Sequence, residues 1–442
     1  MPRLPLRFLA ACASLALTST LWGPPAQADN PVTPGNITGY GFDQCLAPTQ
    51  SAMDRWMKFS PFLAAGIYIS GKSRACRDQP NITPEWVARN LAMGWRLLPI
   101  TLGPQASCLA RFPRYSDDYS IDPTPGADRS YAKATAQGVL EGNQSVADAK
   151  ALGFAPGSTL WYDLEGFDIK NTHCRESALR FTSAWVTQVK AGGYVAGFYS
   201  SASSGIKMLD DARVLRPGKF ALPDQVWIAR WDGYANTSTS YIRDDGWRPG
   251  GRMKQYRGGH HETWGGVTIN IDSNYLDLGL GSVAAPETHC GGVAVDFARY
   301  RRVRTSTDPA VLAALNCLLS EQGVSQRIRP RHLKQRALPE TTLAWLQSRG
   351  FPASKNWKRA HWVALLSAGD RTIVKVGSAG PAVRRLQRAL NAAGNAQLTV
   401  SGTFDAATDA ALRAWQSAAR IKVTGVAAPK TWRLLQRGVL RR

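Results

Sequence analysis

Between residues 37 and 279 short apolar runs alternate with helical stretches, and this alternation limits the fold more than any other feature of the chain. Eight strand-like segments stand out: Gly39–Asp43, Ala64–Ser70, Trp95–Thr101, Thr159–Glu165, Val195–Ser200, Gln225–Trp231, Arg252–Tyr256 and Thr268–Asp272. The earlier ones are separated by helical patterns at Thr83–Met93, Arg129–Leu152 and Arg175–Ala191. Thr83-Pro84-Glu85 places a cap residue, a first-turn proline and an early acid where a helix should begin. Eight strands with helical crossovers predict an α/β fold, a parallel (β/α)8 TIM-like barrel over residues 37–281. A doubly wound open sheet is the alternative. The Gly-rich connections among the last three strands predict an incomplete outer ring of helices.

The fourth strand ends in the sequence Leu160-Trp-Tyr-Asp-Leu-Glu-Gly-Phe-Asp168. Strand side chains alternate between faces, so Asp163 and Glu165 point the same way, with Cα atoms roughly 6.6 Å apart. Two adjacent carboxylates repel, and each raises the other's proton affinity. Hydrolysis of a glycosidic bond uses such a pair, one acid to protonate the leaving oxygen and one carboxylate to support the cationic sugar. A D-x-E pair on a surface strand is the bland reading of the same residues.

The N-terminus reads as a secretory signal over residues 1–28. Arg3 and Arg7 precede the apolar run Phe8–Leu21, and Ala26-Gln27-Ala28 supplies a small-x-small cleavage site. No arginine pair is adjacent there, which favours ordinary secretion. No later apolar run reaches the ~18 residues needed to span a bilayer, so stable membrane insertion is not expected. Removing Cys12 leaves Cys45, Cys76, Cys108, Cys174, Cys290 and Cys317, an even set suited to disulfides in an exported chain. Pairing of sequence neighbours is the expectation. No Cys/His spacing suits zinc, and His260-His261-Glu262 reads as an exposed loop, so neither a metal nor a cofactor is expected.

Charge is uneven along the chain. Residues 290–442 carry 26 Lys/Arg against 7 Asp/Glu, whereas the preceding residues carry 28 against 25. The asymmetry implies an anionic partner for the C-terminal part, and export makes acidic wall polymers the expected one. Nucleic acid is not expected, since no groove-reading or stacking motif occurs.

After the linker Ser282–Glu287 the chain repeats itself with a period of about 70 residues. Val374–Gly438 contains Gly377, Val383, Leu386, Gln387, Leu390, the turn Gly402–Asp405, Thr408, Leu412, Trp415, Gln416, Gly425 and Trp432. These residues resemble the three-helix peptidoglycan-binding domain appended to bacterial wall hydrolases, here over 371–438. A worn copy over 296–369 keeps a helical pattern and a closing tryptophan but lacks the Gly-x-Phe-Asp turn.

The barrel region resembles the glycoside-hydrolase-like domain of unknown function 1906, and more distantly the family 25 lysozymes (N-acetylmuramidases). The segments that carry the likeness, in order, are Gly41-Phe42-Asp43, Tyr162–Glu165, Gly197–Ser200, Trp227–Trp231, Gln255-Tyr256 and Asn270-Ile271-Asp272. The resemblance implies that Asp43, Asp163, Glu165 and Asp272 form the active site, with Glu165 as proton donor. Asp163 and Asp272 would stabilise charge at the anomeric carbon or orient an N-acetyl group, and Asp43 would complete the floor. Tyr40, Tyr199, Trp227, Trp231 and Tyr256 are candidates to stack on sugar faces. The chain departs from the lysozyme pattern at Asp168, at Trp231-Asp232 and in a long insertion, Cys108–Ala134. The expected function is hydrolysis of peptidoglycan or another wall glycan by a secreted, wall-anchored protein. Its rival is a non-catalytic barrel that binds glycan and organises the envelope.

Overall fold

Backbone hydrogen bonds close eight strands into one barrel in chain order. In this computed structural model, which describes residues 30–441, the strands are β1 (Ile37–Asp43), β2 (Ala64–Ser70), β3 (Arg96–Thr101) and β4 (Thr159–Asp163), then β5 (Val195–Ser201), β6 (Gln225–Ala229), β7 (Gly251–Trp264) and β8 (Val267–Leu278). The expected signal sequence, 1–28, lies outside the described residues.

Neighbours from β1 to β7 pair in parallel, but β8 runs antiparallel to both β7 and β1. The expectation of an all-parallel barrel is thus corrected at its last strand. The cause is local. Trp264 pairs with Val267, leaving Gly265-Gly266 as a two-residue turn with φ of 62° and 82°. Two successive positive φ values make the tight turn that sends a strand straight back along its neighbour. The stretch read as a His260–Glu262 loop is therefore strand, part of a hairpin longer than its neighbours whose turn packs against Phe59.

Five helices cover the outside from β1 to β6: α1 (Gln50–Phe59), α2 (Pro84–Ala92), α3 (Ala132–Ala151), α4 (Thr172–Ala191) and α5 (Lys207–Leu215). Thr83 caps α2, its Oγ1 accepting from Trp86 N at 3.1 Å. No helix joins β6 to β7, so the outer ring is incomplete as the glycines suggested. Large rings fill the gap between helices and sheet; Phe42 meets Trp56, Phe62 and Trp95.

The C-terminal region is helical: α6 (Pro309–Glu321), α7 (Pro330–Gln335), α8 (Glu340–Ser348), α9 (Arg359–Leu366), α10 (Pro381–Gly394), α11 (Ala406–Ala418) and α12 (Pro429–Gln436). The worn copy thus holds four helices rather than three, because Pro330 starts an extra turn and Leu333 buries it. Both copies share one apolar core running from Val295 to Leu435. No helix among the described residues is long and apolar enough to cross a membrane. Disulfides join Cys45–Cys76, Cys108–Cys174 and Cys290–Cys317, the neighbour pairing expected.

The last three helices dock against the barrel beside β1. Lys375 is buried there, its Nζ donating to the carbonyls of Ser60 at 3.0 Å and Phe62 at 2.7 Å, just past the end of α1. Gly377 lies against Gly39, where a Cβ on Gly39 would come within 3.1 Å of the Gly377 Cα. Ser282 in the linker donates to Gly377 O at 2.7 Å. This contact sits at the end of the barrel where β1 and β2 begin, away from their carboxyl ends.

Candidate active site

Asp43 is the last residue of β1, Asp163 the last of β4, and Glu165 follows two residues later. Asp272 lies directly opposite Asp43 in the β1–β8 register, so the descending strand delivers it to the same mouth of the barrel. The structure therefore gathers all four predicted acids, two at the ends of strands, one just past the end of β4 and one on a strand that enters there.

Gln255 of β7 organises the floor. Its Nε2 donates to both oxygens of Asp43 and to Oδ2 of Asp272, each at 3.2 Å. Its Oε1 accepts from Tyr199 OH at 3.1 Å and from Trp231 Nε1 at 2.8 Å. Asn274 adds a 2.6 Å donation to Asp43 Oδ1, and its own oxygen accepts from Trp227 Nε1 at 2.7 Å. The backbone N–H of Gly259 donates to Asp272. Gly66 makes room for this cluster, since a Cβ there would stand 2.6 Å from that of Asp43.

Burial governs the protonation of these acids. Asp43 is pushed up to about 8, first by desolvation and then by the charge of Asp272, against the donors Asn274 and Gln255. Near neutrality the Asp43–Asp272 pair therefore carries a proton, because two carboxylates so close cannot both ionise cheaply. Asp163 is raised well above the ordinary carboxylate range by burial and then by Glu165. It accepts from Tyr68 OH at 3.3 Å on Oδ2, while Oδ1 has no hydrogen-bond partner. Glu165 is the more open of the neighbouring pair: its side chain is 28% exposed, whereas Asp163 is 3% exposed. Its Oε2 lies 2.8 Å from Arg111 of the long insertion, which the Cys108–Cys174 disulfide ties to α4.

Glu165 lines two cavities. One, of about 260 Å3, includes Asp43, Asp272, Tyr68, Arg74 and Arg114. The other, of about 320 Å3, includes Tyr199, Ser201, Arg230, Trp231 and Tyr241. The acid thus stands between two open sites at the barrel mouth.

The family model of the Rv2525c-like, glycoside hydrolase-like domain matches residues 55–276, half of the chain. The chain belongs to the Rv2525c-like glycoside hydrolase-like family. A peptidoglycan-binding domain model matches residues 379–435. A family barrel joined to that module makes this a cell-wall glycan-related protein. Two similar solved structures are an uncharacterised B. stearothermophilus protein, at 17% identity, and the Mycobacterium tuberculosis Tat-secreted protein Rv2525c bound to L-tartrate, at 14%. Each alignment covers 54% of this chain and 95% of the other, with a TM-score of 0.34. No curated protein matches the chain.

In this Rv2525c-like barrel the predicted aromatic residues separate into three groups. Trp231 is 66% exposed, and Tyr199 reaches the same cavity, so both face the mouth. Trp227 points inward but is buried beneath the floor, packed edge-on to Tyr199 and Trp161, and is corrected from sugar contact to support. Tyr40 and Tyr256 are also corrected. Each is an odd number of residues from an inward-pointing neighbour, Asp43 or Gln255, so alternation turns it to the outer face. There Tyr40 meets Tyr275 edge-on at 5.5 Å.

Residue reading missed the cleft roles of Tyr68, Arg111 and Asn274, and did not foresee Gln255 as the hub. Arg111 carried a signal, because it lies three residues after a cysteine in an insertion already suspected of reshaping the cleft. Asp168 stays out of the cluster and caps a turn, accepting from Lys170 N at 2.9 Å. Asp232 is held by the buried Lys254 at 3.0 Å, which fixes the loop that carries Trp231.

Proposed function

We propose that this protein is a secreted, wall-associated hydrolase of peptidoglycan or a related wall glycan, with muramidase-like chemistry. The observation that carries the reading is Glu165, which faces both cavities at the barrel mouth while buried acids sit behind it. A glycan chain crossing the mouth would lay one linkage beside this carboxyl, and Trp231 would offer an apolar face to a neighbouring sugar ring.

In this reading the entering glycan displaces Arg111 from Glu165, whose carboxylate takes a proton from solvent. It passes the proton to the glycosidic oxygen as the bond from that oxygen to the anomeric carbon breaks. The ionised member of the Asp43–Asp272 pair supports the positive charge that develops on the sugar. Water then adds to the anomeric carbon and its proton returns to a carboxylate, restoring the site. The peptidoglycan-binding domain keeps the barrel close to polymer, so weak individual contacts suffice. The signal-like leader and three disulfides support an extracytoplasmic location.

A second reading has its own support. The 2.8 Å Arg111–Glu165 pair occupies the one acid exposed between the cavities, as suits a barrel that only binds glycan. Incubating wild type and Glu165→Gln with insoluble peptidoglycan, followed by mass spectrometry of the soluble fraction, separates the two. New reducing ends from wild type alone support hydrolysis. Co-sedimentation without release from either protein would favour the non-catalytic barrel instead.

A further inference from the structure

The helical region holds two cavities in which arginines outnumber acids by four to one and by four to none. The first measures about 480 Å3 and is lined by Arg299, Arg301, Arg302 and Arg304 with Ser306, Thr307 and a single acid, Asp308. The second measures about 450 Å3 and is lined by Arg349, Arg371, Arg433 and Arg437. Among the described residues, the ion pairs of this region use Arg384, Arg388, Arg413 and His289, and none of these eight arginines. Several guanidinium groups around one opening repel one another unless an anion enters.

The first cavity is built rather than incidental. Its arginines lie on the segment Arg-Tyr-Arg-Arg-Val-Arg, in which Tyr300 and Val303 are buried and act as anchors. Tyr300 OH donates to Val295 O at 2.9 Å, Val303 N to Trp357 O at 3.0 Å, and Trp362 Nε1 to Arg301 O at 2.9 Å. The backbone is thereby fixed while the four guanidinium groups face outward beside the start of the 13-residue helix α6, whose dipole adds positive potential. In the second cavity Arg349 keeps a buried Nε with no hydrogen-bond partner, and Arg371 is positioned by Gln436 at 3.1 Å.

We propose that these cavities bind a polymer carrying repeated oxyanion groups, phosphodiester or carboxylate, independently of any chemistry in the barrel. Arginine's planar fork suits either oxyanion. Neither lining includes an aromatic ring on which the bases of a single strand could stack.

The test uses the full mature chain with polyglycerol phosphate, polygalacturonate and duplex DNA as probes, at a salt concentration of about 0.15 M. Arg301→Gln with Arg304→Gln should weaken binding of one of the first two polymers about tenfold, and the polymer affected names the source of the oxyanion. Arg55→Gln with Lys58→Gln removes the same charge from the barrel and should change affinity less than about twofold. Arg349→Gln with Arg433→Gln tests the second cavity in the same way. Equal weakening by the barrel pair, no weakening by either arginine pair, or tighter binding of DNA than of both polymers would overturn the proposal. Sedimentation with peptidoglycan stripped of attached polymers should be unaltered in every variant, which keeps this site separate from the peptidoglycan-binding reading. Loss there in the arginine variants would overturn it as well.

Discussion

At the barrel mouth Asp43 and Asp163 are buried, with Asp272 partly so beside them, and few donors oppose their charge. On the helical region Arg299, Arg301, Arg302 and Arg304 stand in water around a single carboxylate, Asp308, and form no ion pair among the described residues. Both regions concentrate one sign of charge, yet burial makes them respond to different variables. Desolvation moves a proton equilibrium, so the acids answer to pH. Exposed arginines answer to salt, because mobile ions screen them over about 10 Å at 0.1 M.

The largest effect expected is on release of reducing ends from peptidoglycan. Glu165→Gln should lower the initial rate about a thousandfold while leaving sedimentation with the wall intact. A variant that retains more than a tenth of the rate would break the assignment of chemistry to the barrel.

Thermal unfolding sharpens the contrast next. Asp43 has a folded-state value near 8, above its ordinary 3.8, so folding favours the protonated form. Its contribution to stability is full below 3.8 and is lost as pH rises through about 8. Wild type should therefore lose several degrees of Tm between pH 5 and pH 9, and Asp43→Asn should lose less, Asp163 still contributing, by differential scanning calorimetry. Equal losses in both would remove Asp43 from the account. Salt should leave this difference nearly unchanged while weakening polyanion binding.

Smaller effects concern the walls of the cleft. Trp231→Ala should raise KM for soluble glycan fragments about tenfold with little change in kcat, since an exposed ring contributes binding rather than proton transfer. Arg111→Ala should speed release about threefold, the worth of a partly exposed ion pair that substrate must otherwise displace. A slower Arg111→Ala enzyme would show instead that the guanidinium holds Glu165 in its working position.

Strand positions and the four acids were legible because buried parallel strands announce themselves as apolar runs ending in polar residues. Ala64–Ser70 coincides with β2, and Thr83 caps the helix that its sequence promised. The direction of β8 was not read, because residues 257–264 carry no apolar alternation to mark a strand outside the barrel. The pair Gly265-Gly266 did carry that signal, as a hairpin turn. Tyr40 and Tyr256 were misplaced by nearness in sequence, although counting by twos from Asp43 would have put Tyr40 on the outer face. Gln255 could be placed beside the acids, but its role in linking Asp43, Asp272, Tyr199 and Trp231 depends on contacts between distant strands. Arg111 depends likewise on how a disulfide swings its loop across the mouth.

The buried Lys375 joins the peptidoglycan-binding domain to the barrel at the end opposite the acids. A flexible tether would let the cleft sweep every strand within reach, including the one that holds it. Seated on this peg, the cleft instead keeps a fixed heading and a fixed offset from its anchor. Under the proposed hydrolase reading, a wall strand gripped by the helices would lie at the end away from the mouth, and a cut would fall on a neighbour. Spacing between strands in the wall, rather than length of linker, would then set where such a protein works.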